Sequence, residues 1–121
     1  EDPGALNDLG YLWADENMHL QRARRMIEQA VAAEPDNGAF RDSLGWVLFR
    51  QGQYERAAAE LEKAAEIEPD PVVLDHLGDA CAKLKQNDKA AAAWRRSYEQ
   101  FKRAGKEEEA VKIRKKLEKT K

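Results

Sequence analysis

This chain is short of the residues that carry chemistry. It has one cysteine and two histidines in 121 residues. A lone Cys81 forms no intramolecular disulfide, and neither His19 nor His76 stands in a zinc-ligand spacing. His76 and Cys81 are five apart on one expected helix, which points them in different directions. There is no β-branched run and no Asn-Gly hairpin signal, so no sheet is expected, and no phosphate loop follows a strand. No apolar stretch approaches about 18 residues, which leaves no membrane-spanning helix. Carboxylates abound, but on solvated helices they are ordinary charge. The chain is therefore read as no enzyme, with no metal and no cofactor. It starts at Glu1 with no signal-peptide pattern, as expected of a piece of something longer.

What the chain has is a repeat. Leu44-Gly45-x2-Leu48 is matched by Leu9-Gly10-x2-Trp13 and by Leu77-Gly78-x2-Cys81. Ala57-x3-Leu61-x2-Ala64-x4-Pro69 is matched by Ala23-x3-Ile27-x2-Ala30-x4-Pro35, and more loosely by Ala90-x3-Trp94-x2-Ser97-x4-Lys102. Gly10 to Gly45 is 35 residues and Gly45 to Gly78 is 33, a mean period of 34. Each period holds one apolar helix ended by a turn and a second ended by proline or its substitute. A glycine in mid-helix costs about 1 kcal/mol relative to alanine. Taken at the same place three times, it implies a helix–helix approach that a side chain would block. Ala23, Ala57 and Ala90 are the small partners on the second helices, with Ile27, Leu61 and Trp94 one turn on. Cys81 falls where Trp13 and Leu48 stand, so it reads as a small buried apolar residue.

That pattern resembles the tetratricopeptide repeat, over roughly Pro3 to Lys102. The resemblance implies an all-α right-handed solenoid of three helix-turn-helix units and a C-terminal capping helix, in one domain over residues 1–121. The units are placed at about 3–37, 38–70 and 71–104, and the cap at about 106–119. Asn87 or Asp88 is expected to cap the sixth helix. The last segment sets Ala110, Ile113 and Leu117 on one face and is expected to cover Trp94, with Glu108–Lys112 as an ion pair. Residues 102–121 hold nine Lys and Arg against four Glu, whereas the remainder holds twelve against nineteen acids. A solvated cap is the reading preferred over a nucleic-acid or anionic-membrane patch, because the bases alternate with Glu and aromatics are lacking. No nucleic acid is expected as a partner.

In such arrays the first helices line the concave side. The resemblance therefore implies a groove made by Asn7, Asp8 and Tyr11, by Asp42, Ser43, Trp46, Phe49 and Arg50, and by Asp75, His76, Asp79 and Lys83. Its expected ligand contacts are Asn7, Tyr11, Asp42, Trp46, Phe49, Asp75, His76 and Asp79. Large amphipathic residues among carboxylates suit a peptide or partner domain with apolar and basic residues. The plainer alternative is that Trp46 and Phe49 pack on neighbouring helices. A subgroup of the family clamps C-terminal carboxylates with Lys, Arg and Asn, but of the matching positions Asn7, Tyr11, Ser43, Val72 and His76 only Asn7 fits. More narrowly, Asp42 to Trp46, Asp75 to Ala80 and Trp94-Arg95-Arg96 look like bacterial cell-envelope proteins of the family, including adaptor lipoproteins. That implies a periplasmic or envelope location, the cytoplasm being the alternative. The competing functional reading is a structural module that self-associates weakly through its repeat ends or last helix.

Overall fold

A computed structural model describes residues 2–120, and among them there are seven helices and no strand. They are α1 (Pro3–Asp15), α2 (Leu20–Ala33), α3 (Gly38–Arg50), α4 (Tyr54–Ile67), α5 (Pro71–Lys83), α6 (Asn87–Arg103) and α7 (Glu107–Lys119). The chain is an all-α solenoid.

Two kinds of joint alternate. The first helices α1, α3 and α5 open on an Asx cap: Asp2, Asn37 and Asp70 accept from the backbone N–H of Ala5, Phe40 and Val73 at 3.0, 3.1 and 3.0 Å. This is the donor-satisfying geometry for which short polar side chains are suited. The turns inside each pair are closed by the backbone instead. Gly52 at φ 82° and Lys85 at φ 62° sit in the left-handed region at equivalent places. The next residues, Gln53 and Gln86, donate to the Leu48 and Cys81 carbonyls at 2.9 Å. This corrects the expected Asn87 or Asp88 cap. The cap position is Gln86, whose side chain makes no capping bond. The α1–α2 turn has one extra residue and two left-handed positions, Asn17 and His19. Without a terminal proline, α6 runs 17 residues where α2 and α4 run 14.

Glycine explains the pairing. A Cβ on Gly10 would lie 2.7 Å from Ile27 Cγ1, and one on Gly45 2.5 Å from Leu61 Cγ. On Gly78 it would fall inside the Trp94 indole. These are the partners expected from the sequence, and the near contact lets each second helix seat fully. Ala23, Ile27, Ala57, Leu61 and Ala90 are completely buried.

Consecutive helices pack on one another, and so do the first helices α1 on α3 and α3 on α5. The second helices make no comparable contact among themselves. The stack therefore curves toward α1, α3 and α5. One core cluster runs from Ala14 to Ala80, and a second gathers Cys81, Trp94, Phe101, Ala110 and Ile113 under α7. Like α1, α3 and α5, α7 is 13 residues long. Its Ile113-x3-Leu117 repeats the Leu-x3-large spacing of those three, with Arg114 in the glycine position. Among the described residues no helix is long and apolar enough to cross a membrane.

Candidate functional site

Along the inner side of the curve the first helices bring their polar and aromatic residues together. Trp46 on α3 lies between two flat neighbours: His76 of α5, with ring centroids 4.1 Å apart and planes at 13°, and Phe49, at 5.0 Å and 7°. The Tyr11 ring of α1 lies 6.4 Å from that of His76, tilted by 42°. Trp46 is only 9 % exposed, and its Nε1 donates to Asp15 at 3.3 Å. Arg50 places its guanidinium 5.6 Å from the Trp46 ring and donates to the Ala14 carbonyl at 3.0 Å. The free carbonyls at the end of α1 are thus tied to α3.

Beneath this stack lies a buried polar bond. Asp42 of α3 and His76 of α5 are 7 % and 6 % exposed, and Asp42 Oδ1 stands 2.9 Å from His76 Nδ1. Burial by itself would push the imidazole pKa down. The hydrogen bond and charge of Asp42, with the charges of Asp75 and Asp79, outweigh it and raise the pKa above the ordinary 6.5. Burial, with the charges of Asp42 and Asp15, pushes the Tyr11 hydroxyl up to about 12. It stays a neutral donor at physiological pH.

Asp75 and Asp79 meet a residue that the sequence did not bring to notice. Lys116 of α7 donates to Asp75 Oδ1 at 2.7 Å and to Asp79 Oδ1 at 2.9 Å, and its Nζ lies 5.9 Å from the Trp94 ring centre. Burial and the neighbouring Asp75 raise the Asp79 carboxyl, against the opposing pull of Lys116. Burial opposes the charge on Lys116, but the two aspartates together raise its pKa. The signal for Lys116 was the Leu-like spacing of Ile113 and Leu117, which makes α7 another first helix.

The groove therefore has two unlike ends. Near α1 a depression of about 410 Å³ is lined by Asn7, Asp8, Tyr11, Leu12 and Asp15. Asn7 donates only to its neighbour Asp8, at 3.4 Å, and its enclosed carbonyl oxygen has no partner among the described residues. Near α7 a depression of about 530 Å³ has Phe49, Ala82 and Trp94 as apolar walls, with Lys83 and Lys119 as cations and Lys116 paired to Asp79 in its lining. Of the carboxylates expected among the groove aromatics, Asp42 is spent on His76, and Asp75 and Asp79 on Lys116. The structure unites Tyr11, Asp42, Trp46, Phe49 and His76 in one cluster, sets Asp75 and Asp79 beside it, and leaves Asn7 at the α1 end. Among the described residues no three His, Cys, Asp or Glu side chains are grouped to hold a metal.

Comparisons with known proteins agree with this architecture. A stretch of 75 residues, 62 % of the chain, is 41 % identical to a TPR repeat-containing protein of Pseudomonas aeruginosa, and spans 13 % of that protein's length. A T3SS complex from Aeromonas hydrophila is similar in structure, with a TM-score of 0.88 at 16 % identity, covering 98 % of this chain and 79 % of that one. So is the type III secretion chaperone SycD of Yersinia enterocolitica, in complex with a peptide of the translocator YopD: TM-score 0.79, 15 % identity, 97 % and 90 % covered. At such identities the structural likeness speaks for the fold alone. The tetratricopeptide repeat family model matches residues 11–71, across the glycine and alanine positions that seat α3 on α4. The chain belongs to the tetratricopeptide repeat family.

Proposed function

We propose that the chain is a protein-interaction module, without catalysis, whose groove holds an extended or helical segment of a partner protein. The observation that carries this reading is an aromatic inner face with opposite charge at its two ends. Tyr11 and Phe49 are half-buried, while Trp46, Asp42 and His76 lie deeper and back those rings. Rigid aromatics lose little conformational entropy on binding, which suits them to anchor positions. Asp8 and Asp15 at one end favour basic residues, and Lys83 and Lys119 at the other favour acidic ones. Asn7 offers an amide to a passing peptide backbone. Support also comes from SycD, a protein of this fold that has a peptide bound.

A random peptide library selected on the immobilised chain, with winners measured by calorimetry, tests the reading. Binders should carry aromatic or aliphatic anchors with Lys or Arg toward one end. The double variant Asp8→Lys, Asp15→Lys should weaken them by about tenfold, or about 1.4 kcal/mol, without changing helicity. Binders indifferent to that reversal, or no binders at all, would remove the support for the groove.

A further inference from the structure

We propose that the depression at the α7 end is an anchor pocket for one aromatic side chain of a partner segment, with Asp or Glu side chains close to that anchor in the same segment. This rests on the reading of the groove as an interaction surface, and names what its α7 end takes. The pocket arises from a difference between repeats. Four residues past the repeated glycine, α3 carries Phe49, which lies beside Trp46 and Tyr54 at ring distances of 5.0 and 5.3 Å. The same place in α5 holds Ala82, half-buried. The row of rings therefore stops one helix early, and a space of about 530 Å³ stands open against Phe49, Ala82 and Trp94. Its walls are fixed in advance. Phe49 is stacked on Trp46, and Trp94 is only 5 % exposed, with its Nε1 donating to the Asp75 carbonyl at 3.3 Å. An incoming ring would supply the aromatic contact that α5 lacks without first ordering the site.

Charge selects what flanks the anchor. Five residues past the glycine stand Arg50 in α3, Lys83 in α5 and, with Arg114 in the glycine position, Lys119 in α7. Arg50 is taken up within the fold, donating to the Ala14 and Asp15 carbonyls at 3.0 and 3.3 Å. Lys83 and Lys119 are exposed, line the depression from two helices, and form no ion pair among the described residues. Asp79, which also lines it, is held by Lys116 at 2.9 Å. The charge left for a ligand is therefore positive. A space of this volume is about 8 Å across, or two to three residues of extended chain at about 3.3 Å each, which bounds the distance from anchor to carboxylate. Lysines are point charges on flexible stems, and two of them on separate helices suit acidic side chains on the flanks of the anchor.

Two synthetic peptides, acetylated and amidated at their ends, test this by amide NMR titration of the isotopically labelled chain: Gly-Glu-Phe-Glu-Gly and Gly-Lys-Phe-Lys-Gly. The Glu peptide should bind at least about tenfold more tightly and move the signals of Ala82, Lys83 and the Trp94 indole N–H. Ala82→Phe fills the pocket with the residue that α3 carries there, and should weaken the Glu peptide by about tenfold or more with unchanged circular dichroism. The surface pair Lys83→Glu, Lys119→Glu should reverse the preference between the peptides, and decides the matter should Ala82→Phe disturb the fold. Equal binding of both peptides, or an affinity indifferent to these variants, overturns the proposal. Shifts confined to the α1 end overturn it too, yet leave the groove reading standing. Tighter binding of Gly-Gly-Phe with a free carboxylate would assign the pocket to a chain end and overturn the side-chain assignment. If neither peptide moves a groove signal the proposal falls, while the library selection decides the groove reading separately.

Discussion

The first helix and the last have the same length, yet opposite outer faces. α1 buries Leu6 and Ala14 and shows Leu9 and Leu12 to water; α7 buries Ala110 and Ile113 and shows Arg114, Lys115 and Glu118. The glycine position makes the contrast sharpest. Gly10 meets Ile27 of its own second helix, while in α7 the same place holds Arg114, exposed. A helical repeat needs one face of every unit covered. Apolar residues left at the α1 end and charge at the α7 end show that the two edges answer that need differently. One is surfaced like the inside of the stack and the other is dressed for water.

Truncations of similar size at the two edges should break this comparison or fix it. Ile113→Ala removes a side chain that is 2 % exposed and seated against Trp94 and Phe101. It should cost about 3 kcal/mol in urea unfolding. Leu12→Ala in the 121-residue chain should cost under about 0.5 kcal/mol. Equal costs would erase the distinction. Next come the glycines. Gly78→Ala drives a Cβ into a rigid indole, a closer approach than the 2.7 Å at which Gly10→Ala would meet Ile27 Cγ1. Overpacking should cost about 2 kcal/mol at Gly78 and about 1 kcal/mol or less at Gly10, after the gain in helix propensity.

Much of this was legible in the chain itself, for a physical reason. The period, the glycine–alanine contacts and the bounds of α2 follow from residues that must recur because each unit solves the same packing problem. Gly45 against Leu61 is such a case. What was not legible depends on reach. Asp75 and Asp79 stand 41 and 37 residues from Lys116, a pairing that becomes legible only once α7 is read as another first helix. Arg114 in the glycine position hid the fact that α7 is another first helix. Asp42 and His76 were expected to face a ligand. Each is polar on a first helix, but on adjacent helices two such groups satisfy one another inside the fold. The cap of α6 was expected one or two residues late because a lysine at Lys85 adopts the backbone that glycine supplies at Gly52.

Lys116 ties the α7 edge to the middle of the molecule, and its removal should show how much of the cap is electrostatic. Lys116→Met keeps the aliphatic stem over Trp94 but leaves Asp75 and Asp79 facing each other without a cation. The group is half-buried, so solvent screens part of the loss, and about 1–2 kcal/mol of destabilisation is expected. Lys116 is what opposes the upward shift of Asp79. The Asp79 carboxyl should therefore titrate at still higher pH in the variant, as followed by carbon-detected NMR. An unmoved Asp79 would mean that the two do not meet in solution.

The smallest effect belongs to His76, midway between the edges. Its imidazole stands 2.9 Å from Asp42, stacks on Trp46, faces Tyr11, and feels Asp75 and Asp79, whose charge Lys116 partly draws off. The folded pKa lies above the unfolded value of 6.5. The folded state thus holds its proton more tightly than the unfolded chain does. The stabilisation this brings is fully present below about pH 6.5 and is lost as the pH rises through the folded pKa. Glutamine keeps a hydrogen-bond donor to Asp42 but cannot take up the charge. The melting-temperature gap between wild type and His76→Gln should therefore be widest near about pH 5, above the range where carboxylates protonate. It should narrow steadily toward alkaline pH, by less than the change Lys116→Met produces. A gap that stays flat, or widens with pH, would show that burial rather than Asp42 governs this imidazole. The two first helices would then be joined by a neutral hydrogen bond instead of a charged one.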